Sequence, residues 1–196
     1  MAAWLAGVLD KGKRSPEVVP GLGIYEGEFN RDIVKRVVGR LRLIGHCAID
    51  IVPEARNIKL RDRIVRANRH YTDPHLIMAL SNPAVRLISI HANADGRNGE
   101  WTDANGLVVF HHPGSVKGKA LAQAAHDSIM KHTAIKSRGL KTARFAMLRR
   151  TKMPAILVEH GFMTNKGDAK KLASDKFRTQ IADAYVEMIL DIEKNS

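Results

Sequence analysis

The order of hydrophobic and polar positions predicts strands and helices that alternate along the chain. Short apolar runs predict strands at residues 4–9, 46–52, 85–90, 107–110 and 155–158, with a further short strand at 143–148. Apolar positions at near-helical spacing predict helices at residues 29–43, 60–68, 117–132, 168–173 and 176–193. The segments 11–23 and 95–105 are predicted loops. This alternation favours a single α/β domain with a largely parallel, mixed sheet and helices on both faces.

The stretch from Lys152 to Asn165 contains the first candidate for chemistry. Its apolar run, residues 155–158, stops at Glu159; Gly161 is then predicted to turn the chain, and Asn165 to begin a helical segment. A continuous Val/Ile/Leu run is typical of a strand that is buried on both faces. Ligands of open α/β sheets bind outside the carboxyl ends of the strands. Glu159 is therefore either a functional carboxylate or a solvated residue at a strand end.

Two more polar residues lie at the ends of predicted elements. His91 directly follows the strand at residues 85–90, and Glu26 lies just before the first amphipathic helix. If they converge, an imidazole and a carboxylate suit a catalytic zinc ion, and a carboxylate outside the ligand set could act as general base. Most of the other histidines are interpreted as surface or structural residues, since the sequence has no H-E-x-x-H and no paired C-x-x-C.

Composition narrows the class of partner without choosing one. The chain of 196 residues carries a formal net charge of +12, which favours nucleic acid, anionic lipid or an anionic cell-wall polymer. Aromatic residues make up 5% and do not interleave with the basic clusters, as a stacking platform for single-stranded nucleic acid requires. Cys47 is the one cysteine, so no intramolecular disulfide can form.

The amino-terminal residues and the hydropathy of the chain indicate where in the cell the protein is expected. No apolar run approaches the roughly 18 residues of a transmembrane segment. Residues 1–9 are apolar but short and lack a basic n-region, which favours a first strand over a signal peptide. We therefore expect synthesis in the cytoplasm, with release or export by another protein if the chain acts outside.

Four stretches together resemble a known enzyme family. They are E-G-E-F-N at residues 26–30, L-R-D-R-I-V-R-A-N at 60–68, S-I-H-A-N-A at 89–94 and T-K-M-P-A-I-L-V-E-H-G-F-M-T-N at 151–165. In order and spacing they resemble the zinc-dependent N-acetylmuramoyl-L-alanine amidases of the Amidase_3 type, including phage endolysins. The resemblance implies one amidase-like catalytic domain over residues 1–196, in which residues 1–25 form a divergent strand and loop.

The resemblance also implies a cofactor, a substrate and roles for three residues. Glu26 and His91 would ligate Zn²⁺, and Glu159 would be the catalytic general base and proton shuttle. The implied partner is peptidoglycan, and the implied reaction hydrolyses the amide between N-acetylmuramic acid and the L-alanine of the stem peptide. Action on the cell wall after lysin-like release, or after another form of export, is implied as well.

One family motif is missing or replaced. Enzymes of this family carry a zinc-ligating histidine in a pattern like L-D-x-G-H-G. At the corresponding place, residues 9–14, this chain reads L-D-K-G-K-R. Either Lys13 replaces the histidine or a loop has been deleted, and a protonated lysine is no metal ligand. Asp10 or His46 could substitute. Two hypotheses follow: an amidase, or a catalytically impaired relative that binds peptidoglycan. A basic nucleic-acid-binding protein accounts for the charge but not for the four motifs, so no specific nucleic acid is expected.

Overall fold

The computed structural model describes residues 4–8, 14–16, 23–74, 85–96 and 100–195. The described strands are β1 Trp4–Val8, β2 Ala48–Asp50, β3 Arg86–Asn93, β4 Leu107–His111, β5 Ser137–Thr142 and β6 Ala155–Phe162. The described helices are α1 Glu26–Leu43, α2 Leu60–Tyr71, α3 Val116–His132, α4 Ala146–Arg149, α5 Lys166–Ala173 and α6 Asp175–Lys194. Most of the loop predicted at residues 11–23 lies outside these ranges.

The strands described form one sheet in the order β2-β1-β3-β6-β4-β5. Every neighbouring pair is parallel except β4 and β6, which are antiparallel. The largely parallel, mixed sheet predicted from the sequence is therefore confirmed. Because β4 runs against β6, the start of β4 lies at the same edge of the sheet as the carboxyl ends of β3 and β6.

Helices cover both faces of the sheet, as predicted. Ile88 and Ile90 of β3 point into a core with α1, α3, α5 and α6. Leu87, the residue before Ile88, points to the opposite face, into a second core with α2 and α4. Successive side chains of a strand point to opposite faces, so a strand that is apolar at every position is buried on both. This explains why β3 and β6 read as continuous apolar runs.

The strand predicted at residues 143–148 is wrong. Residues 146–149 form the short helix α4, which buries Met147 and Leu148 in the second core. The strand of this region is β5, with the sequence S-R-G-L-K-T, at the edge of the sheet. An edge strand needs little apolar surface when backbone pairing with β4 holds it, so hydropathy alone misses it.

The two strands that carry predicted site residues are longer than their apolar runs. β3 continues through His91 to Asn93, and β6 continues through Glu159 to Phe162. The turn predicted at Gly161 is wrong, because this glycine lies inside β6 with φ of 129°. His91 pairs with Glu159 and Asn93 with Phe162, so β6 holds one extra residue between the two pairs. Such a bulge is served by a glycine, which tolerates positive φ.

The first helix begins three residues earlier than its apolar spacing predicts. α1 starts at Glu26, and its first turn carries Glu26 and Glu28. Carboxylates in the first turn of a helix interact favourably with the positive end of the helix dipole. Within the described residues, no helix is both long enough and apolar enough to cross a membrane.

Candidate active site

Glu26 and His91 meet at the edge of the sheet where β3 and β6 end. β3 supplies His91, and the amino end of α1 brings Glu26 to it across a sequence separation of 65 residues. His91 Nδ1 lies 2.9 Å from Glu26 Oε1. Both residues are buried, with 5% and 7% of their surface exposed. Polar side chains tolerate such burial when they form a hydrogen bond with each other.

Glu159 lies beside this pair on the neighbouring strand. It is the direct partner of His91 in the parallel pairing of β3 with β6. Paired residues of adjacent strands point to the same face, with about 4.8 Å between the strands. Glu159 is only half-buried. The structure therefore brings all three predicted site residues to one edge of the sheet, with His91 and Glu159 on the same face.

The topology removes His46 from the possible metal ligands. His46 comes just before β2, and β2 is parallel to β1, β3 and β6. His46 therefore lies at the amino edge of these strands, opposite the carboxyl edge where Glu159 lies. Its Nδ1 is instead 2.6 Å from Glu193 Oε2 of α6. His111 and His112 also lie at that opposite edge, because β4 is antiparallel to β6. The suggestion that His46 substitutes for the missing histidine is wrong. Asp10 and Lys13 lie outside the described residues.

The donor set matches part of what a catalytic zinc ion requires. Such an ion takes nitrogen and oxygen ligands, usually three from the protein, and keeps a position open. Glu26 and His91 offer one oxygen and one nitrogen that face each other. Among residues 4–8, 14–16, 23–74, 85–96 and 100–195, no third His, Cys, Asp or Glu joins them in a cluster. The pair therefore fits two positions of a zinc site.

Ser89 can hold His91 in the orientation that a metal ligand needs. Its Oγ is 3.0 Å from His91 Nε2, on the ring side away from Glu26. A hydroxyl can accept a hydrogen bond from one histidine tautomer or donate to the other. The Glu26 carboxylate only accepts, so Nδ1–H donates to it in this structure. If a metal took the place of that hydrogen, Ser89 could accept from Nε2–H, the usual role of a residue behind a ligating histidine. Ser89 was missed from the sequence, although the two-residue period of a strand places it on the face of His91.

Comparison with known proteins decides the family. The profile described as N-acetylmuramoyl-L-alanine amidase (Amidase_3) matches residues 7–191. The chain belongs to this amidase family. Among curated relatives, LytC of Bacillus subtilis is 30% identical over 168 residues, which are 84% of this chain and 30% of LytC. The endolysin of Bacillus phage SPP1 is 30% identical over 172 residues, 87% of this chain and 59% of the endolysin. The chain thus spans about a third to three fifths of these two relatives.

Solved amidase structures share the fold along nearly the whole chain. An N-acetylmuramoyl-L-alanine amidase from Clostridium difficile 630 superposes with a TM-score of 0.80 at 26% identity, covering 98% of this chain and 97% of that one. The amidase AmiC2 of Nostoc punctiforme superposes with a TM-score of 0.71 at 32% identity, covering 97% of each chain. The fold described above is therefore that of this amidase family.

A buried histidine behind the site supports the backbone of His91 in this amidase-family chain. His160 Nδ1 lies 2.9 Å from the carbonyl oxygen of His91, and His160 Nε2 lies 2.8 Å from the hydroxyl of Tyr185. A carbonyl only accepts, so Nδ1–H donates to it and Nε2 accepts from the tyrosine hydroxyl. The ring also contacts Phe29 at 5.8 Å between centroids. Sequence reasoning missed His160 because it follows Glu159 directly and points to the opposite face.

Burial keeps both members of this pair neutral. Desolvation lowers the pKa of His160 to about 4, against a smaller opposing effect of the hydrogen bond to His91. Desolvation also raises the pKa of Tyr185, so its hydroxyl keeps the proton that it donates. The pair is therefore a fixed hydrogen-bonded support between α6 and the strand that carries His91.

The low pKa of His160 predicts a loss of stability in mild acid. In the unfolded chain His160 is protonated near pH 6.5, whereas in the folded chain it is protonated only near pH 4. Below pH 6.5 the unfolded state therefore binds more protons, and the free energy of unfolding falls as the pH falls towards 4. We expect this residue to account for a loss on the order of 2 to 3 kcal/mol across that window. Urea denaturation followed by circular dichroism at several pH values measures it.

His160→Asn is the matched variant for this experiment. The asparagine amide can still donate a hydrogen bond but does not titrate, and Tyr185 loses an acceptor. The variant is expected to be less stable than the wild type by about 1 to 3 kcal/mol at neutral pH. The two stability curves should then converge as the pH approaches 4. Curves that stay parallel from pH 7 to pH 4.5 would contradict the account of His160.

Asp168 links the bulge of β6 to the start of β4 through hydrogen bonds. Its Oδ2 accepts hydrogen bonds from the backbone N–H groups of Gly106 and Phe162, at 2.7 and 3.0 Å. A Cβ on Gly161 would come within 3.1 Å of the same oxygen, so this position favours glycine by space as well as by φ. Asn165 caps α5 by accepting from Gly167 N and Asp168 N, as its predicted place at the helix start implies.

Proposed function

We propose that this chain hydrolyses the amide between N-acetylmuramic acid and the L-alanine of the peptidoglycan stem peptide. The observation that carries the proposal is the convergence of Glu26, His91 and Glu159 at the carboxyl edge of the sheet. Family membership and relatives named as amidases and an endolysin support the substrate class. Action on the cell wall follows from that substrate.

Glu26 and His91 would hold a zinc ion, and Ser89 would fix the tautomer of His91. Zinc, when bound, polarises a carbonyl and lowers the pKa of water at its site. Asp10 remains a candidate for a further ligand from the divergent amino-terminal region, residues 1–25. His160 and Tyr185 would act indirectly, by holding the backbone of β3 at His91.

Glu159 would carry out the proton transfers. Its carboxylate lies next to the Glu26–His91 pair without belonging to it, which suits a general base. It would take a proton from the attacking water and pass it to the nitrogen of the L-alanine as the carbon–nitrogen bond breaks. The products would be the muramic acid carboxylate and a stem peptide with a free amino terminus, so one water molecule is consumed and all protons are accounted for.

Digestion of purified peptidoglycan tests this reaction. The wild-type protein is expected to release peptides with new amino-terminal alanine and to create no new reducing sugar ends. Removal of metal with a chelator should stop the release, and added Zn²⁺ should restore it. New reducing ends, or peptides with other amino termini, would contradict the proposed bond. Release that is unchanged in the chelated protein would contradict the role of zinc.

A catalytically impaired peptidoglycan-binding relative is the second candidate. It is favoured by one observation: among the residues that the structure describes, Glu26 and His91 have no third metal-binding partner. In that case the protein would sediment with purified sacculi but release no amino-terminal alanine, and metal analysis after purification in zinc-containing buffer would find no zinc. The same digestion experiment, with sedimentation added, separates the two candidates.

A further inference from the structure

The bulge in β6 places an aromatic ring on the face of the site. Phe162 comes three residues after Glu159, so in a regular strand its side chain would point to the opposite face. The extra residue between the His91–Glu159 and Asn93–Phe162 pairs reverses this parity. Asn93 shares a face with His91, and Phe162 shares that face as its partner. The backbone of Phe162 therefore lies about 7 Å from that of Glu159 along β6, the span of two positions of the paired strand β3.

Arg138 covers this ring with its guanidinium group. The residue belongs to the edge strand β5, yet its Cζ lies 5.1 Å from the centroid of Phe162. Its Nη1 donates to the carbonyl oxygen of Asn105, just before β4. The side chain thus reaches across the start of β4 to the face of the sheet that carries Glu159. A guanidinium stacked on a ring keeps its edge available for hydrogen bonds.

Arg138 contacts neutral groups within the described part of the chain. Its two contacts there, a backbone carbonyl and an aromatic ring, are both neutral, and no described carboxylate forms an ion pair with it. The side chain is exposed to solvent. By contrast, Arg36 and Arg178 both pair with Asp32. An exposed, pre-positioned guanidinium is well suited to bind a carboxylate in a two-pronged manner.

We propose that Arg138 forms a carboxylate-binding subsite for the stem peptide, on the leaving-group side of the scissile amide. This inference rests on the proposed reaction. The path from Glu159 to the guanidinium is on the order of 7 to 10 Å, and an extended peptide advances about 3.3 to 3.6 Å per residue. The carboxylate would accordingly belong to the second or third residue of the stem peptide, counted from the amide.

Equilibrium binding to a protein that cannot turn over is the direct test. The probes are N-acetylmuramoyl-L-alanyl-D-glutamate and the same compound with both carboxyl groups converted to carboxamides. Both would be titrated by calorimetry into the Glu159→Gln protein. We expect the carboxylate form to bind about tenfold more tightly, because a charge-assisted hydrogen bond is lost with the diamide. Equal affinity for the two probes would overturn the subsite, whatever any second variant does.

Substitution of Arg138 in the same protein then assigns the preference to this residue. Arg138→Gln should lower affinity for the carboxylate probe about tenfold and leave the diamide unchanged. Lys141→Gln is the matched control: it removes the same charge from β5, but it pairs with Phe110 towards the opposite edge of the sheet. We expect it to change neither affinity. An equal loss in both variants would show attraction to the overall charge and would overturn the subsite.

The subsite and the proposed reaction fail in different ways. Wild-type protein that cleaves peptidoglycan at the muramoyl-alanine amide while Glu159→Gln protein binds both probes equally would contradict the subsite alone. A tenfold preference that depends on Arg138, in a protein that releases no amino-terminal alanine, would contradict the proposed reaction and leave the carboxylate site in place.

Discussion

Glu159→Gln is expected to lower kcat for the release of amino-terminal alanine by about two to four orders of magnitude. Glutamine has nearly the shape of glutamate but cannot accept a proton at pH 7. The bound zinc should remain, because Glu159 lies beside the Glu26–His91 pair and not within it. Turnover measured on peptidoglycan, together with the zinc content of each protein, checks both parts of this prediction.

Glu187→Gln is the control for this substitution. It makes the same chemical change on α6, where Glu187 pairs with Lys131 at the protein surface. Turnover should stay within about twofold of wild type, since exposed ion pairs contribute little to stability. Near-normal turnover by Glu159→Gln would remove this residue from the role of general base. Loss of zinc together with turnover would instead make Glu159 a ligand.

His91→Ala is expected to abolish zinc binding and activity together. Substitution of residues that merely support a metal ligand costs about 10- to 100-fold in metal affinity, so loss of a ligand should cost at least on the order of 100-fold. The variant should also be less stable, by about 3 to 5 kcal/mol, because the buried carboxylate of Glu26 loses its partner. Metal analysis and urea denaturation measure the two effects separately.

Glu26→Gln and His112→Ala sharpen this experiment. The amide of Glu26→Gln can still form a hydrogen bond with His91, so this variant should fold normally and yet bind zinc poorly. His112 lies after β4 at the opposite edge of the sheet, and its substitution should leave zinc content and turnover unchanged. If Glu26→Gln and His91→Ala both kept the zinc content of the wild type, the proposed metal site would be wrong.

The resemblance to the amidases placed Glu26, His91 and Glu159 in one site, and the fold shows why a strand-end argument pointed the same way. Parallel strands bring their carboxyl ends to one edge, so residues near the carboxyl ends of β3 and β6 must be neighbours if the strands are adjacent. The apolar runs also located both strands, although each continues beyond its run. A run of apolar residues ends where polar side chains begin, whereas a strand ends where its hydrogen-bonded pairing does.

Other features depended on contacts that no local pattern contains. Tyr185, on a distant helix, donates a hydrogen bond to the ring of His160. A bulge shifts Phe162, the ring that Arg138 contacts, to the face of β6 that carries Glu159. His46 looked like a possible ligand until the direction of β2 placed it at the far edge. In each case the deciding quantity is a register or a long-range packing contact.

The amino-acid sequence by itself determined the α/β class, the two strands at the centre of the site and three residues that could do chemistry there. Hydrophobic periodicity encodes which faces are buried, and that information is local. Only the tertiary structure decided the pairing of His91 with Glu159, the 2.9 Å contact between His91 and Glu26, and the contact of Arg138 with the ring of Phe162. These depend on strand order and on one extra residue in β6, because side-chain direction in a sheet follows from the register of pairing.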